Sequence, residues 1–392
     1  MPRAPDRAAL LILGAGAMLA LLAVPAQAQL QGTILDNGVA QLGFRDLGNL
    51  GWPGPLPATE ACYPAVGPPP PLVSQCNYMV GLREDITDFE GLTDNCVCEG
   101  WGIAYTAPAP TAGWAQFGQP LQYGGVTLTS FASNPATATA TSVVQVGDLQ
   151  VTHDVRSEPS TTSLFKIKVT IENTGASTVS GIVYRRTMDW DAEPTPYSEY
   201  VLISGSPTTL VSPAVPELLC SSWDPWVSAD PTAVALNSPT LLPPVGPGSA
   251  CLGPAAFRGQ GDRGASFDFQ PRLVASGAPV LGVLLPGEAT HFYIYYGASV
   301  DGTVSADLAT VGAQLVSVAR PSYPPILAPN VAGPLNDPAL GTPLLTYGFG
   351  YKWECIPNVD PGCTVVTPPP PPPPPPPVPP VVLELVIPND ER

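Results

Sequence analysis

The chain has 392 residues, 15 basic against 32 acidic, a formal net charge of −17 and only 12% charged residues. So acidic a surface disfavours nucleic acid and anionic lipid as partners. High proline (53) and glycine (38) among many Val, Thr, Ser and Tyr point to antiparallel β structure with long turns.

The N-terminus carries an export signal. Arg3 and Arg7 make a basic start, residues 8–24 are apolar, and Ala26-Gln27-Ala28 is a cleavage site, so residues 1–28 are read as a signal peptide. The expected location is secreted, periplasmic or cell surface. No later apolar run is long enough to span a bilayer, so the mature chain is expected to have no transmembrane segment.

Export puts the eight cysteines in an oxidising compartment, where they act as staples. They are Cys62, Cys76, Cys96, Cys98, Cys220, Cys251, Cys355 and Cys363. Local pairing favours Cys62–Cys76, Cys220–Cys251 and Cys355–Cys363, and leaves Cys96 and Cys98 to bridge each other or to exchange with the first pair. A closed loop of ~15 residues is worth ~3 kcal/mol in the chain-entropy model.

In chain order, Asp36-Asn37-Gly38 between short apolar runs predicts a hairpin. Residues 61–125 read as irregular. Gly147-Asp148, flanked by apolar–polar alternation, predicts a two-residue hairpin turn. From Phe165 to Glu172 apolar and polar residues alternate strictly, which is a strand buried on one face. Such a strand requires a second sheet over its apolar face. Residues 194–262 read as long loops. Strand character resumes at Ala265–Leu273, Val280–Leu285 and His291–Tyr296. Val304, Leu308, Val311, Leu315 and Val318 recur at helical spacing and predict one amphipathic helix over Thr303–Val318. A last strand is expected near Tyr347–Trp353.

The fold expected is therefore mainly β: a large antiparallel β-sandwich over residues 29–366 with one amphipathic helix and disulfide-stapled loops. Residues 367–380 are a polyproline spacer and 381–392 a C-terminal tail.

The densest polar run is Tyr184-Arg185-Arg186-Thr187-Met188-Asp189-Trp190-Asp191-Ala192-Glu193. On a strand, Arg185, Thr187, Asp189, Asp191 and Glu193 share one face, and Tyr184, Arg186, Met188 and Trp190 the other. Carboxylates about 6.6 Å apart along one face suit a hard cation, so Asp189, Asp191 and Glu193 are the candidate metal ligands, with calcium the cofactor they imply. The competing reading pairs these acids with Arg185 and Arg186. Asp189 and Asp191 would also be the acid and base of a glycoside hydrolase. Glu84, Asp85, Asp88 and Glu90 form a second acidic cluster, read as a solvated loop.

His153 and His291 read as ordinary strand residues. No G-x-S-x-G, H-E-x-x-H, P-loop or dinucleotide fingerprint occurs, so no catalytic residue is assigned. Flat aromatic faces beside acids suit sugar rings. Trp101, Trp223 and Trp226, with Tyr184, Arg186 and Trp190 of the polar run, are the candidate ligand-binding residues.

Cys96-Val97-Cys98-Glu99-Gly100-Trp101-Gly102 and Tyr184-Arg185-Arg186-Thr187-Met188-Asp189-Trp190-Asp191 together resemble an uncharacterised group of exported bacterial β-sandwich proteins. The likeness spans roughly residues 80–320 and implies a shared fold without an established activity. Leu285-Pro286-Gly287-Glu288 before an aromatic strand also resembles large β-sandwiches of carbohydrate-active proteins, as a likeness of fold. The function expected is a non-catalytic extracellular or cell-surface binding protein for glycan or matrix, with calcium. The alternatives are a carbohydrate-active enzyme and a structural envelope component.

Overall fold

The computed structural model describes residues 31–53, 79–86, 89–92, 99–117, 122–193, 196–205, 218–233, 257–273, 280–321 and 345–353. The signal peptide, the polyproline spacer, the C-terminal tail, Asp88 and every cysteine but Cys220 lie outside these residues. The side chain of Cys220 lies outside them too, so the disulfide expectations do not fall on the described part.

Strict alternation over Leu164–Asn173 buries Phe165, Ile167, Val169 and Ile171 completely and leaves Lys166, Lys168, Thr170 and Glu172 half-buried. This strand sits inside a nine-stranded antiparallel sheet. From one edge the order is Phe257–Gln260, Tyr200–Gly205, Leu315–Arg320, Thr346–Trp353, Ala289–Ser299, Leu164–Asn173, Leu149–Ser157, Thr139–Val146 and Thr127–Asn134. Gly147-Asp148 makes the expected tight turn, with Val146 opposite Leu149.

The second sheet has six strands in the order Leu218–Ser222, Arg263–Phe269, Val183–Trp190, Glu99–Tyr105, Thr111–Gln116 and Gln122–Gly124. The two sheets face each other through interleaved aromatic rings. Phe267 stacks on Phe349 at 5.3 Å between centroids, Phe269 on Tyr351 at 4.0 Å, and Tyr184 meets Phe292 edge-on at 5.1 Å. Such pairs add ~0.5–1.5 kcal/mol each beyond the area they bury. The expected sandwich is what forms, because each sheet supplies an apolar face that the other must cover.

A third, three-stranded sheet (Gly32–Asp36, Ala40–Arg45 and Leu82–Glu84) joins the same core. Its first two strands are the hairpin expected at Asp36-Asn37-Gly38, and Asn37 Oδ1 accepts the Val39 and Ala40 N–H groups across the turn.

The helix is shorter than the apolar spacing predicts. It runs Thr303–Thr310, and Leu315–Arg320 is a strand. Gly312 (φ +71°) takes the left-handed conformation just after the helix, which redirects the chain. Val304, Leu308 and Val311 from the helix side pack with Val316 and Val318 of the strand in one small core, whereas Leu315 belongs to the main core. Among the described residues no helix is long and apolar enough to cross a membrane.

Candidate functional site

The strand Val183–Trp190 separates its residues by face as alternation requires, and the two faces have different surroundings. Tyr184, Arg186, Met188 and Trp190 point into the sandwich and are fully buried. Trp190 Nε1–H donates to Ser317 Oγ at 2.8 Å. Arg186 Nε lies 2.5 Å from Glu99 Oε1 and donates to Tyr296 OH at 3.0 Å, while its terminal nitrogen donates to the Gly48 carbonyl at 3.3 Å. Tyr296 O–H donates to Glu99 at 3.0 Å, and Leu50 N–H donates to the other Glu99 oxygen at 2.6 Å. Trp101 is also interior: its ring stacks on Tyr184 at 5.9 Å, and its indole N–H donates to the Leu47 carbonyl at 2.6 Å.

Four of the expected ligand-binding residues, Trp101, Tyr184, Arg186 and Trp190, are thus placed away from solvent. All four lie inside the core with no face toward solvent, because their rings fill the space between the sheets and their polar ends are bonded there. Burial alone would lower the Arg186 pKa, but Glu99, Tyr296 and Tyr184 together outweigh it and raise it. Burial pushes the Glu99 carboxyl up, opposed by Arg186 and the Leu50 N–H. Burial, with the Arg186 charge beside it, also holds His153 well below the usual histidine range. His153 Nε2 lies 3.1 Å from Tyr184 OH.

On the outer face Arg185 grips the carboxylate directly across from it, with Nε to Asp268 at 2.6 Å and a second nitrogen at 2.8 Å. Among the described residues, Arg185 forms an ion pair with Asp268 and Arg186 with Glu99. Arg185 also donates to the carbonyls of Ser228 and Asp230, and Thr187 Oγ1–H donates to the Val227 carbonyl. Gln116 completes the grip, giving to Val227 O and accepting from Ala229 N–H. Residues 223–233 are thus laid across this face of the sheet.

Glycine makes that close approach possible. A Cβ on Gly102 would lie 2.1 Å from Ala229 O and 2.7 Å from Pro231 Cδ, and one on Gly264 would lie 2.7 Å from Pro225 Cα. The glycines flanking Trp101 and the Arg263-Gly264 step are a notch for this loop.

At its start the pinned loop carries Trp223, Asp224 and Trp226. Trp226 is 51% exposed, and Trp223 is partly buried with the Arg263 guanidinium 4.4 Å from its ring. Of the six candidate ligand-binding residues, Trp223 and Trp226 are the two placed together here, and Trp226 presents its ring to solvent.

The acids regroup. Asp189 is directly opposite Gly264 in the sheet. Glu199 Oε1 accepts the Arg263 N–H at 2.6 Å, the Glu199 carbonyl accepts Gly261 N–H at 3.1 Å, and the Trp223 carbonyl accepts Gly264 N–H at 3.0 Å. Asp189, Glu199, Asp224 and Asp262 consequently converge around the Arg263-Gly264 step. Asp189 is raised well above the usual carboxylate range by burial first, then by the charges of Asp262, Glu199 and Asp224. Burial pushes Glu199 up to about 8, and it raises Asp262 as well, against the pull of Arg263.

Asp191 and Glu193 lie past the end of the strand and bond to a different segment. Asp191 N–H donates to the Gly91 carbonyl at 3.0 Å, and Glu193 Oε2 accepts the Glu90 N–H at 2.9 Å. Asp189 and Asp191 are 2% and 0% exposed, which leaves neither carboxylate open to a glycosidic bond. Glu90 is buried as well, accepting N–H groups of Gly81, Leu82 and Leu92, and Glu84 is fully buried; the second acidic cluster is a structural staple at these positions rather than a solvated loop.

Sequence reasoning missed Glu199, Asp224 and Asp262, which are dispersed over residues 199–262 and carry no motif. Among the described residues no three His, Cys, Asp or Glu side chains close on one metal-sized point. Comparison with family models, with curated proteins and with solved structures finds no match to this chain.

Proposed function

We propose that this chain is an exported, non-catalytic binding protein of the cell surface or extracellular space, and that glycan or matrix polysaccharide is its ligand. The observation that carries the reading is Trp226. Its half-exposed indole stands on a loop fixed to the sheet by Arg185, Thr187 and Gln116, so the ring is held ready rather than ordered on binding. A flat apolar ring beside acids and amides matches a sugar, which offers C–H groups on its face and hydroxyls at its edge. The basic start, apolar stretch and Ala26-Gln27-Ala28 of the N-terminus support export.

The test is a screen of the signal-free, oxidised chain against soluble and insoluble polysaccharides, read both as binding and as release of reducing ends. Binding with no new reducing ends supports the reading. Polysaccharide cleavage would replace it with the carbohydrate-active enzyme, and an inert result across the panel would leave an envelope structural role as the better account.

A further inference from the structure

Thr127–Asn134 closes one side of the nine-stranded sheet and, among the described residues, pairs only with Thr139–Val146. Its outward backbone groups are open to a further strand, and six of its eight residues are exposed. Sheet edges are ordinarily blunted by lysine, by inward charges or by proline. Thr127–Asn134 carries none of these, and residues 100–147 contain no Asp, Glu, Lys or Arg. The pairing is irregular between Val143 and Val144, but residues 130–134 stay in continuous register with residues 139–143. Leu128 and Phe131 are half-buried and pack against the core, Phe131 on Phe44 at 6.3 Å between centroids. A strand added at this edge would gain ladder hydrogen bonds and cover both apolar side chains.

The chain itself carries a segment of matching length and chemistry. Residues 381–387 alternate so that Val381, Leu383, Leu385 and Ile387 share one face, with Glu384 the single charge on the other. Pro380 and Pro388 lack the N–H that a ladder needs, which limits pairing to these seven residues.

The register of the sheet makes the edge reachable. Trp353, Phe292, Val169, His153, Ser142 and Phe131 are successive partners in one row across it. Five strand spacings of ~4.8 Å put the end of Thr346–Trp353 about 24 Å from the middle of the edge strand. Residues 354–380 lie between, and the ten prolines from Pro368 to Pro377 reach ~30 Å in the extended form their rings impose. A second copy is a poorer occupant, since each chain has a formal charge of −17.

We propose that residues 381–387 add a strand beside Thr127–Asn134, so that the tail of the chain closes the open edge of its own molecule. The apolar face of the segment continues the interior over Leu128 and Phe131, Glu384 stays toward water, and the prolines are the strap that crosses the sheet.

The experiment is amide hydrogen exchange on the signal-free, oxidised chain, comparing the parent with Leu383→Pro plus Leu385→Pro. These prolines remove two ladder donors from a segment outside the core. Amides of Thr127–Asn134 should exchange about tenfold faster in the variant, while those of Leu164–Asn173 stay equally protected in both. A synthetic peptide of residues 378–392 should bind the variant and restore the protection, and should bind the parent at least tenfold more weakly. Light scattering should find the parent monomeric. Equal exchange at Thr127–Asn134 in the two chains, or no binding of the peptide to the variant, overturns the proposal. Protection that appears only in a dimer also overturns it and assigns the edge to a second copy.

Discussion

Arg186 and Glu99 form an ion pair with Nε and Oε1 2.5 Å apart and no exposure on either side chain. The pair lies on neighbouring strands of the six-stranded sheet, faces the other sheet through Tyr296 OH, and reaches the Leu47–Leu50 segment through Leu50 N–H and the Gly48 carbonyl. A sequence that looks like a polar binding motif is therefore the internal bracket joining the two sheets to the third.

Breaking the bracket on one side leaves a buried charge uncompensated. Glu99→Gln should lower stability by about 3–5 kcal/mol, read as the urea midpoint at unchanged slope. Replacing both partners, as Arg186→Met with Glu99→Leu, should recover most of that loss because no lone charge remains. A double variant as unstable as the single one would refute the interpretation.

His153 predicts how stability depends on acid. Its folded pKa is depressed by burial and by Arg186, so protons bind the unfolded chain more readily than the folded one. Its contribution is complete above the unfolded value of about 6.5 and is lost as pH falls below it, with a slope of up to ~1.4 kcal/mol per pH unit. The His153→Gln variant should show a shallower fall between pH 6.5 and 5 in denaturant melts. Parallel profiles for parent and variant would assign the acid sensitivity elsewhere.

Much of the frame was legible. Phe165–Glu172 declares its two faces because one is wholly buried, and the tight turn at Gly147-Asp148 follows from local chemistry. The division of Val183–Trp190 into two faces was equally readable. What covers each face was not, because the partners come from far away: Glu99 and Tyr296 inside, residues 223–233 outside. The helix was drawn too long because Leu315 and Val318 continue its apolar spacing while belonging to a strand, and periodicity alone does not see Gly312 turn the chain. The acids separate for a related reason. Asp191 and Glu193 extend the alternation of Asp189 on paper, yet the strand stops at Trp190.

The glycine notch gives a prediction for the loop that carries the tryptophans. Gly102→Ala places a methyl group where Ala229 O and Pro231 now sit, and should cost about 1–3 kcal/mol. The strain should appear first as faster proteolysis within residues 223–233, with the core circular dichroism retained. A variant as protease-resistant and as stable as the parent would show that the loop does not depend on the notch.

The most direct test of the binding face is Trp226→Ala, measured against the polysaccharide that the parent binds best. The indole packs no core, so the melting temperature should stay within about 2 °C of the parent. The affinity should fall by roughly thirtyfold, as for loss of an aromatic anchor worth ~2 kcal/mol. Equal affinity for parent and variant would contradict the account and move the ligand to another surface.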